Sequence, residues 1–140
     1  MFVIFAAEEF LPVFPHPGSH DFGVFLESHA GHAMLTHSLF WPLLIIVEMI
    51  LNTVLGEELL FRGLLLPRMR GAFGRGDWVA NGVLFAAYHL HQPWSMPGAL
   101  YDTFALAYPV SRYRSAVLSI IVHSTQTVFF IVIAAVLILT

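Results

Sequence analysis

The sequence contains no lysine and no cysteine, and it has little charge of either sign. Of its 140 residues, six are arginine and nine are aspartate or glutamate, so 11% are charged. A soluble domain usually carries about 25%. Without cysteine, the chain can form no disulfide, no thiolate metal site and no cysteine nucleophile. Six basic side chains and a net charge of −3 also argue against nucleic acid as a partner. The composition is that of a membrane protein rather than a soluble domain.

Apolar side chains are abundant, with 58% hydrophobic residues and a mean hydropathy of +0.78. A helix that crosses the hydrocarbon core needs about 20 mostly apolar residues. Residues 39–66 and 115–139 meet that length, whereas the apolar stretches 78–90 and 98–110 are shorter and are expected to pack between the long helices or to be re-entrant. The predicted fold is an all-α, polytopic membrane helix bundle of about four membrane segments, with the two outer ones long.

The division into two regions follows from the same pattern. Residues 39–140 form the expected membrane core, and residues 1–38 are expected to be a non-cytoplasmic segment or a remnant. The N-terminus has no basic region, so no cleavable signal peptide is predicted. The histidines before the core match no metal-ligand spacing well; they are His16, His20, His29, His32 and His37.

The arginines predict the orientation of the chain. Arg68, Arg70 and Arg75 follow the first long segment, and Arg112 and Arg114 precede the last one. With four segments in series, both loops fall on the same side of the membrane. Cytoplasmic loops of membrane proteins carry an excess of basic residues. We therefore expect an integral protein of the cell (inner) membrane whose arginine-rich loops face the cytoplasm.

Charged residues inside the first long segment are expensive and indicate function. Glu57, Glu58 and Arg62 lie there within six positions. The spacing of Glu58 and Arg62 is i,i+4, so the two can pair on one helix face. Glu57 is rotated by about 100° from Glu58 in an α-helix. This geometry predicts one neutralised carboxylate beside one that is free for chemistry.

Three titratable residues are expected at one depth. At 1.5 Å per helical residue, Glu57, His89 and His123 lie about 14 to 16 Å from the cytoplasmic ends of their segments. Asp102 and Thr127 fall within about a turn of this level. A carboxylate and an imidazole at a shared cavity can activate water for hydrolysis, while further donors stabilise the oxyanion. The sequence has no G-x-S-x-G element that would supply a serine nucleophile instead.

Residues 39–140 resemble the CPBP family, the CAAX prenyl endopeptidase type II and bacteriocin-processing group of intramembrane glutamate proteases. The match lies in three motifs that occur in order, namely Glu57-Glu58-x-x-x-Arg62, then Phe85-x-x-x-His89, then His123 on a final apolar helix. The first motif is fairly specific, and the three together with this spacing are strong. The family normally has further membrane helices before the first motif.

The resemblance implies a metal-independent endopeptidase with no cofactor. Its partner would be a membrane-anchored peptide or protein, which is a prenylated C-terminal tail in the better-known members. Glu57 would activate the water with the help of His89, and His123 would contribute to the oxyanion hole.

The resemblance also implies supporting residues around these three. Glu58 and Arg62 would form a supporting pair, and Phe85 would pack against His89. The family usually has Asn or Asp four residues after the last histidine, where this chain has Thr127. A threonine hydroxyl can donate only one hydrogen bond and is shorter than an amide.

Three other functions remain open at the level of sequence. A zinc hydrolase could use Glu57 or Glu58 with His89 and His123, although no H-E-x-x-H motif is present. A non-catalytic membrane binding or immunity protein could keep the fold without the chemistry, which Thr127 and the short N-terminus favour. A transporter-like proton relay is disfavoured by four segments without an internal repeat.

Overall fold

The computed structural model describes residues 17–20, 22–36 and 39–139. Every regular element in these ranges is helical, so the prediction of an all-α fold is confirmed. The α-helical elements in chain order are α1 (Phe22–Glu27), α2 (His29–Thr36), α3 (Phe40–Met69), α4 (Asp77–Tyr88), α5 (Met96–Ala105), α6 (Ala107–Tyr113) and α7 (Ala116–Leu139). Half of the predicted region 1–38, including His16 and His37, lies outside the described residues.

The first long segment forms one helix, α3, that differs from the prediction in two respects. Its central part, Asn52–Leu65, is a π-helix, in which each N–H bonds to the carbonyl five residues earlier. The helix also continues to Met69, beyond the predicted end at residue 66. Pro67 lies where the π-helical winding ends and the α-helical turn Leu66–Met69 begins.

The stretch 98–110 was expected to pack between the long helices or to be re-entrant. It forms two helices, α5 and α6, that are separated at Leu106. Pro109 explains the break, because its ring would clash with the carbonyl of Ala105 four residues earlier and its nitrogen cannot donate. The N–H of Leu106 bonds to the carbonyl of Asp102 at 2.8 Å. Leu106 itself is fully buried.

Packing between α4 and α5 is close because Gly82 has no side chain. A Cβ atom at Gly82 would overlap the side chain of Thr103 on α5. A small core lies next to this crossing, where Phe61 of α3 meets Phe85 and Ala86 of α4. Helix α7 packs along the π-helical part of α3. Helices α3, α4 and α7 thereby bring the sequence motifs into one region.

Membrane crossing is indicated only weakly by the helices themselves. Among the described residues, no single helix is both long and apolar enough to span a bilayer. The helix pair His29–Thr36 and Phe40–Met69, bent by 97°, is together long and apolar enough to do so. The final turn of α3 contacts α6, so Arg68 and Arg112 belong to neighbouring elements. The four membrane segments and the cytoplasmic side of the arginines stay predictions.

Replacing Gly82 with alanine is expected to destabilise the fold. The new Cβ would force α4 and α5 apart, and overpacking of this kind typically costs about 1 to 3 kcal/mol. Thermal unfolding in detergent measures the effect. Gly63→Ala on α3 is the matched control, because its Cβ would meet only ordinary contacts, the nearest being Leu59 Cδ2 at 3.6 Å. Equal melting temperatures for the two variants would contradict the close packing described here.

Candidate functional site

Two buried glutamates project from the π-helical part of α3. Glu58 is fully buried and Glu57 is 6% exposed. The π-helical winding sets their directions, and π-helical turns are frequent at functional sites. The two carboxylates have different partners, so each can perform a different task.

Glu58 is held by Arg62, as the i,i+4 spacing predicted. Arg62 Nη1 donates to Glu58 Oε1 at 3.1 Å, and both side chains are fully buried. The guanidinium lies over the ring of Phe85 at 4.0 Å from the centroid, a distance at which a cation is attracted to the aromatic face. Phe85 therefore contacts Arg62 as well as His89. Of these two contacts, only the one with His89 was expected.

His123 of α7 joins the two glutamates. Its Nδ1 lies 2.8 Å from Glu58 Oε1, and its Nε2 lies 3.4 Å from Glu57 Oε2. A carboxylate only accepts hydrogen bonds. The ring can therefore donate to both glutamates only when both of its nitrogens carry a proton. This bridge between α3 and α7 was not expected for His123.

His89 lies at the end of α4, one turn after Phe85. Its Nδ1 lies 2.9 Å from the carbonyl oxygen of Phe85, and its ring packs edge-on against the Phe85 ring, as predicted. Because a carbonyl accepts, Nδ1 must carry the proton, and Nε2 of the neutral ring keeps a lone pair. His89 is close enough to interact electrostatically with the carboxylate of Glu57. Its free nitrogen is thus able to accept a hydrogen bond from a water.

Thr127 is engaged with other parts of the protein. Its hydroxyl lies 3.2 Å from the carbonyl oxygen of His123 and 2.9 Å from the hydroxyl of Thr53. Either hydroxyl can be the donor in the second contact, and the single proton of Thr127 is engaged by His123 or by Thr53. Thr127 therefore has no proton left for a substrate in this arrangement.

Sequence reasoning missed several polar residues around the glutamates. Asn52 Nδ2 donates to Glu57 Oε1 at 2.8 Å, so Glu57 has a partner where none was expected. Asn81 is fully buried and donates to the carbonyl of Phe61 in the π-helical part of α3. Asparagine within an apolar helix was the available signal for both residues, because an unpaired amide is costly there.

Asp102 contributes at the edge of the site. Gln126 of α7 donates to Asp102 Oδ1 at 3.4 Å. Asp102 also interacts electrostatically with His123 and Arg62. The sequence placed Asp102 at the right level but did not identify its partner.

Two of the side chains considered as zinc ligands, Glu58 and His123, are paired with each other. Among the described residues, no group of three His, Cys, Asp or Glu side chains has an arrangement that could hold a metal ion. Glu58 Oε1 is taken by Arg62 and His123. This arrangement gives no support to the zinc alternative.

Comparison with known proteins gives one match. A family model described as type II CAAX prenyl endopeptidase Rce1-like matches residues 38–137, which agrees with the resemblance found in the three motifs. No curated protein and no solved structure matches the chain.

Arg62→Ala is expected to destabilise the protein strongly. Removing one partner of a buried ion pair leaves an uncompensated charge and typically costs about 3 to 5 kcal/mol. Thermal unfolding in detergent measures this loss. Arg68→Ala is the matched control, since Arg68 is exposed and bonds to the backbone carbonyl of Leu64. If the two variants melt at the same temperature, the buried pair does not have the structural importance assigned to it.

Proposed function

Because the chain belongs to the type II CAAX prenyl endopeptidase family, we propose that it is an intramembrane endopeptidase that uses a glutamate-activated water. Members of this family are generally proteases and membrane proteins. The observation that carries the proposal is the buried Glu57 carboxylate beside two imidazoles, His89 and His123. A buried carboxylate with imidazole neighbours has the components that general-base hydrolysis requires.

The charges of the site support Glu57 as the base. Glu57 and Glu58 together carry two negative charges when ionised, and Arg62 carries one positive charge. An imidazolium at His123 would add the second positive charge, so these four side chains would sum to zero. A neutral group of paired charges is far less costly to bury than an unpaired one. The contact with His123 thus provides a way to balance the charge of a Glu57 carboxylate that acts as the base.

The proposed reaction begins with a water between Glu57 and His89. Glu57 takes a proton from the water as the oxygen forms a bond with the carbonyl carbon of the substrate, and His89 Nε2 accepts the hydrogen bond of the other proton. Glu57 then transfers its proton to the nitrogen of the leaving peptide as the C–N bond breaks. Proton transfer by a positioned side chain typically accelerates a reaction by about 10² to 10⁴-fold.

His123 has the proposed role of stabilising the developing oxyanion. Its Nδ1 is held by Glu58 at 2.8 Å, so the ring is fixed in direction. The contact of Nε2 with Glu57 is longer, 3.4 Å, and lies beyond the usual range for an N–H···O bond. A carbonyl oxygen that becomes negative would be a better partner for this N–H. Preorganised donors of this type supply a large part of the catalysis in acyl transfer.

The proposed substrate is a membrane-anchored peptide or protein with a prenylated C-terminal tail. The name of the matching family describes a CAAX prenyl endopeptidase. Many large apolar side chains are exposed on α3 and α7, among them Leu43, Val47, Leu51, Val117 and Ile121. Exposed apolar patches of this extent typically contact lipid or an apolar partner. The arginine-rich loops are proposed to face the cytoplasm of the cell (inner) membrane, where such tails would be reached.

A non-catalytic membrane-binding protein is the second candidate. The observation that favours it is Thr127, whose only hydroxyl proton is engaged by His123 or by Thr53. The family usually has an amide or carboxylate side chain at this position. Without a second oxyanion donor the chemistry would be slower, and the fold could serve binding alone.

Glu57→Gln and His89→Ala are each expected to abolish hydrolysis without unfolding the protein. The first removes the base and the second removes the acceptor that orients the water. The assay uses the purified protein in liposomes with a fluorogenic peptide that ends in a farnesylated CAAX sequence. Thr125→Val is the control, because Thr125 is exposed and bonds to the backbone carbonyl of Ile121 on its own helix.

Two results would contradict this mechanism. One is full activity of Glu57→Gln. The other is activity that disappears after treatment with a chelator and returns with Zn²⁺, since the proposed reaction requires no metal.

Thr127→Asn is expected to raise kcat, because the asparagine amide brings two N–H donors and can keep one for the oxyanion. Removing or adding one such donor changes kcat by up to about 10² to 10³-fold in well-studied hydrolases. The same assay measures the effect, and Thr125→Asn on the exposed side of α7 controls for the substitution itself. A rate equal to or below that of the natural protein would show that this position does not limit catalysis.

A further inference from the structure

Asn52 contacts the carboxylate that we assign as the base, although it belongs to none of the three motifs. Asn52 Nδ2 donates to Glu57 Oε1 at 2.8 Å, and His123 Nε2 lies 3.4 Å from the other oxygen, Oε2. The two oxygens of Glu57 are therefore held by different helices. The amide nitrogen must face Glu57, because an ionised carboxylate can only accept and the amide oxygen cannot donate.

The π-helical winding makes this contact possible. Asn52 and Glu57 are five residues apart, and in an α-helix residues with this spacing lie about 140° apart around the axis. In a π-helix, residues i and i+5 are joined by the backbone hydrogen bond and lie near each other. Asn52 is the first residue of the π-helical part, Asn52–Leu65. The winding thus brings the amide onto the same side as the carboxylate.

Gly56 provides the space that the amide occupies. A Cβ atom built at Gly56 would lie 2.8 Å from Oδ1 of Asn52, closer than side chains normally approach. The nearby atom is the end of a side chain, so the Asn52 amide rather than the backbone would move. Gly56 is therefore required for the position of the amide, whereas the helix itself would tolerate alanine.

We propose that Asn52 is a positioning residue that, with the space left by Gly56, orients the Glu57 carboxylate for water activation. This inference rests on the proposed role of Glu57 as the base. By holding Oε1, Asn52 prevents rotation of the carboxylate and leaves Oε2 directed towards His123 and the reacting water. Asn52 contacts no reacting atom. Its loss should lower kcat and leave KM unchanged.

The kinetic test compares Asn52→Ala, Gly56→Ala and the double variant with the natural protein, using the farnesylated peptide in liposomes. Losing one hydrogen bond to a charged group should lower kcat by between about 10-fold and 100-fold, with KM unchanged. Because both single changes remove the same contact, the double variant should lose little more than either one. Gly63→Ala on the same helix is the control and should retain full activity.

Two results would overturn the inference. One is a double variant whose decrease in kcat equals the product of the two single decreases, and the other is an unchanged kcat in Asn52→Ala. The natural protein could be active, and Glu57→Gln could abolish that activity while Asn52→Ala leaves it unchanged. This result would reject only the role of Asn52 and would leave the proposed function intact. An inactive natural protein would instead reject the proposed function.

An infrared measurement tests the contact without requiring activity. The carboxylate band of Glu57 is identified as the band that Glu57→Gln removes from the spectrum of the reconstituted protein. This band is expected to shift in Asn52→Ala and in Gly56→Ala, and to stay in place in Gly63→Ala. A band that does not move in either of the first two variants would show that Asn52 does not hold Glu57.

Discussion

The contact of His123 with two glutamates is the constraint on which the site depends. Glu58 and Arg62 neutralise each other within α3, but Glu57 has no arginine of its own. The two ring nitrogens of His123 on α7 reach one carboxylate each, and His89 of α4 also interacts electrostatically with Glu57. The contacts of His123 therefore couple the packing of α7 on α3 to the positions of both carboxylates.

Small and polar residues make this arrangement possible in an otherwise apolar bundle. The π-helical part of α3 directs both glutamates towards α7 and α4, and its carbonyl at Phe61 is bonded by the buried amide of Asn81. Thr53 and Thr127 join α3 to α7 one turn from the charges. Glu58 and His123, Thr53 and Thr127, and Asn81 and the Phe61 carbonyl form polar contacts between different helices. Such cross-helix pairing allows a charged site to exist where few charges are tolerated.

The sequence predicted features that depend on local spacing. Long apolar stretches gave the helices, and the i,i+4 spacing of Glu58 and Arg62 gave their pairing. It did not predict the contact of Asn52 with Glu57, because a five-residue spacing shares no face in an α-helix and nothing in the residues signals a π-helix. The break before Pro109 is different, because a proline within an apolar stretch is a visible signal of a helix break. Contacts between helices, such as those of His123, depend on packing that spacing alone cannot give.

The central claim is that His123 carries a proton on both ring nitrogens and balances two ionised glutamates. Nitrogen-15 NMR of histidine-labelled protein in lipid nanodiscs tests this directly, with His123→Gln used to assign the signals. At neutral pH, both ring nitrogens of His123 should show the chemical shifts and attached protons of an imidazolium. A ring nitrogen of His123 without a proton would contradict the account, because His123 would then not balance the charge of Glu57.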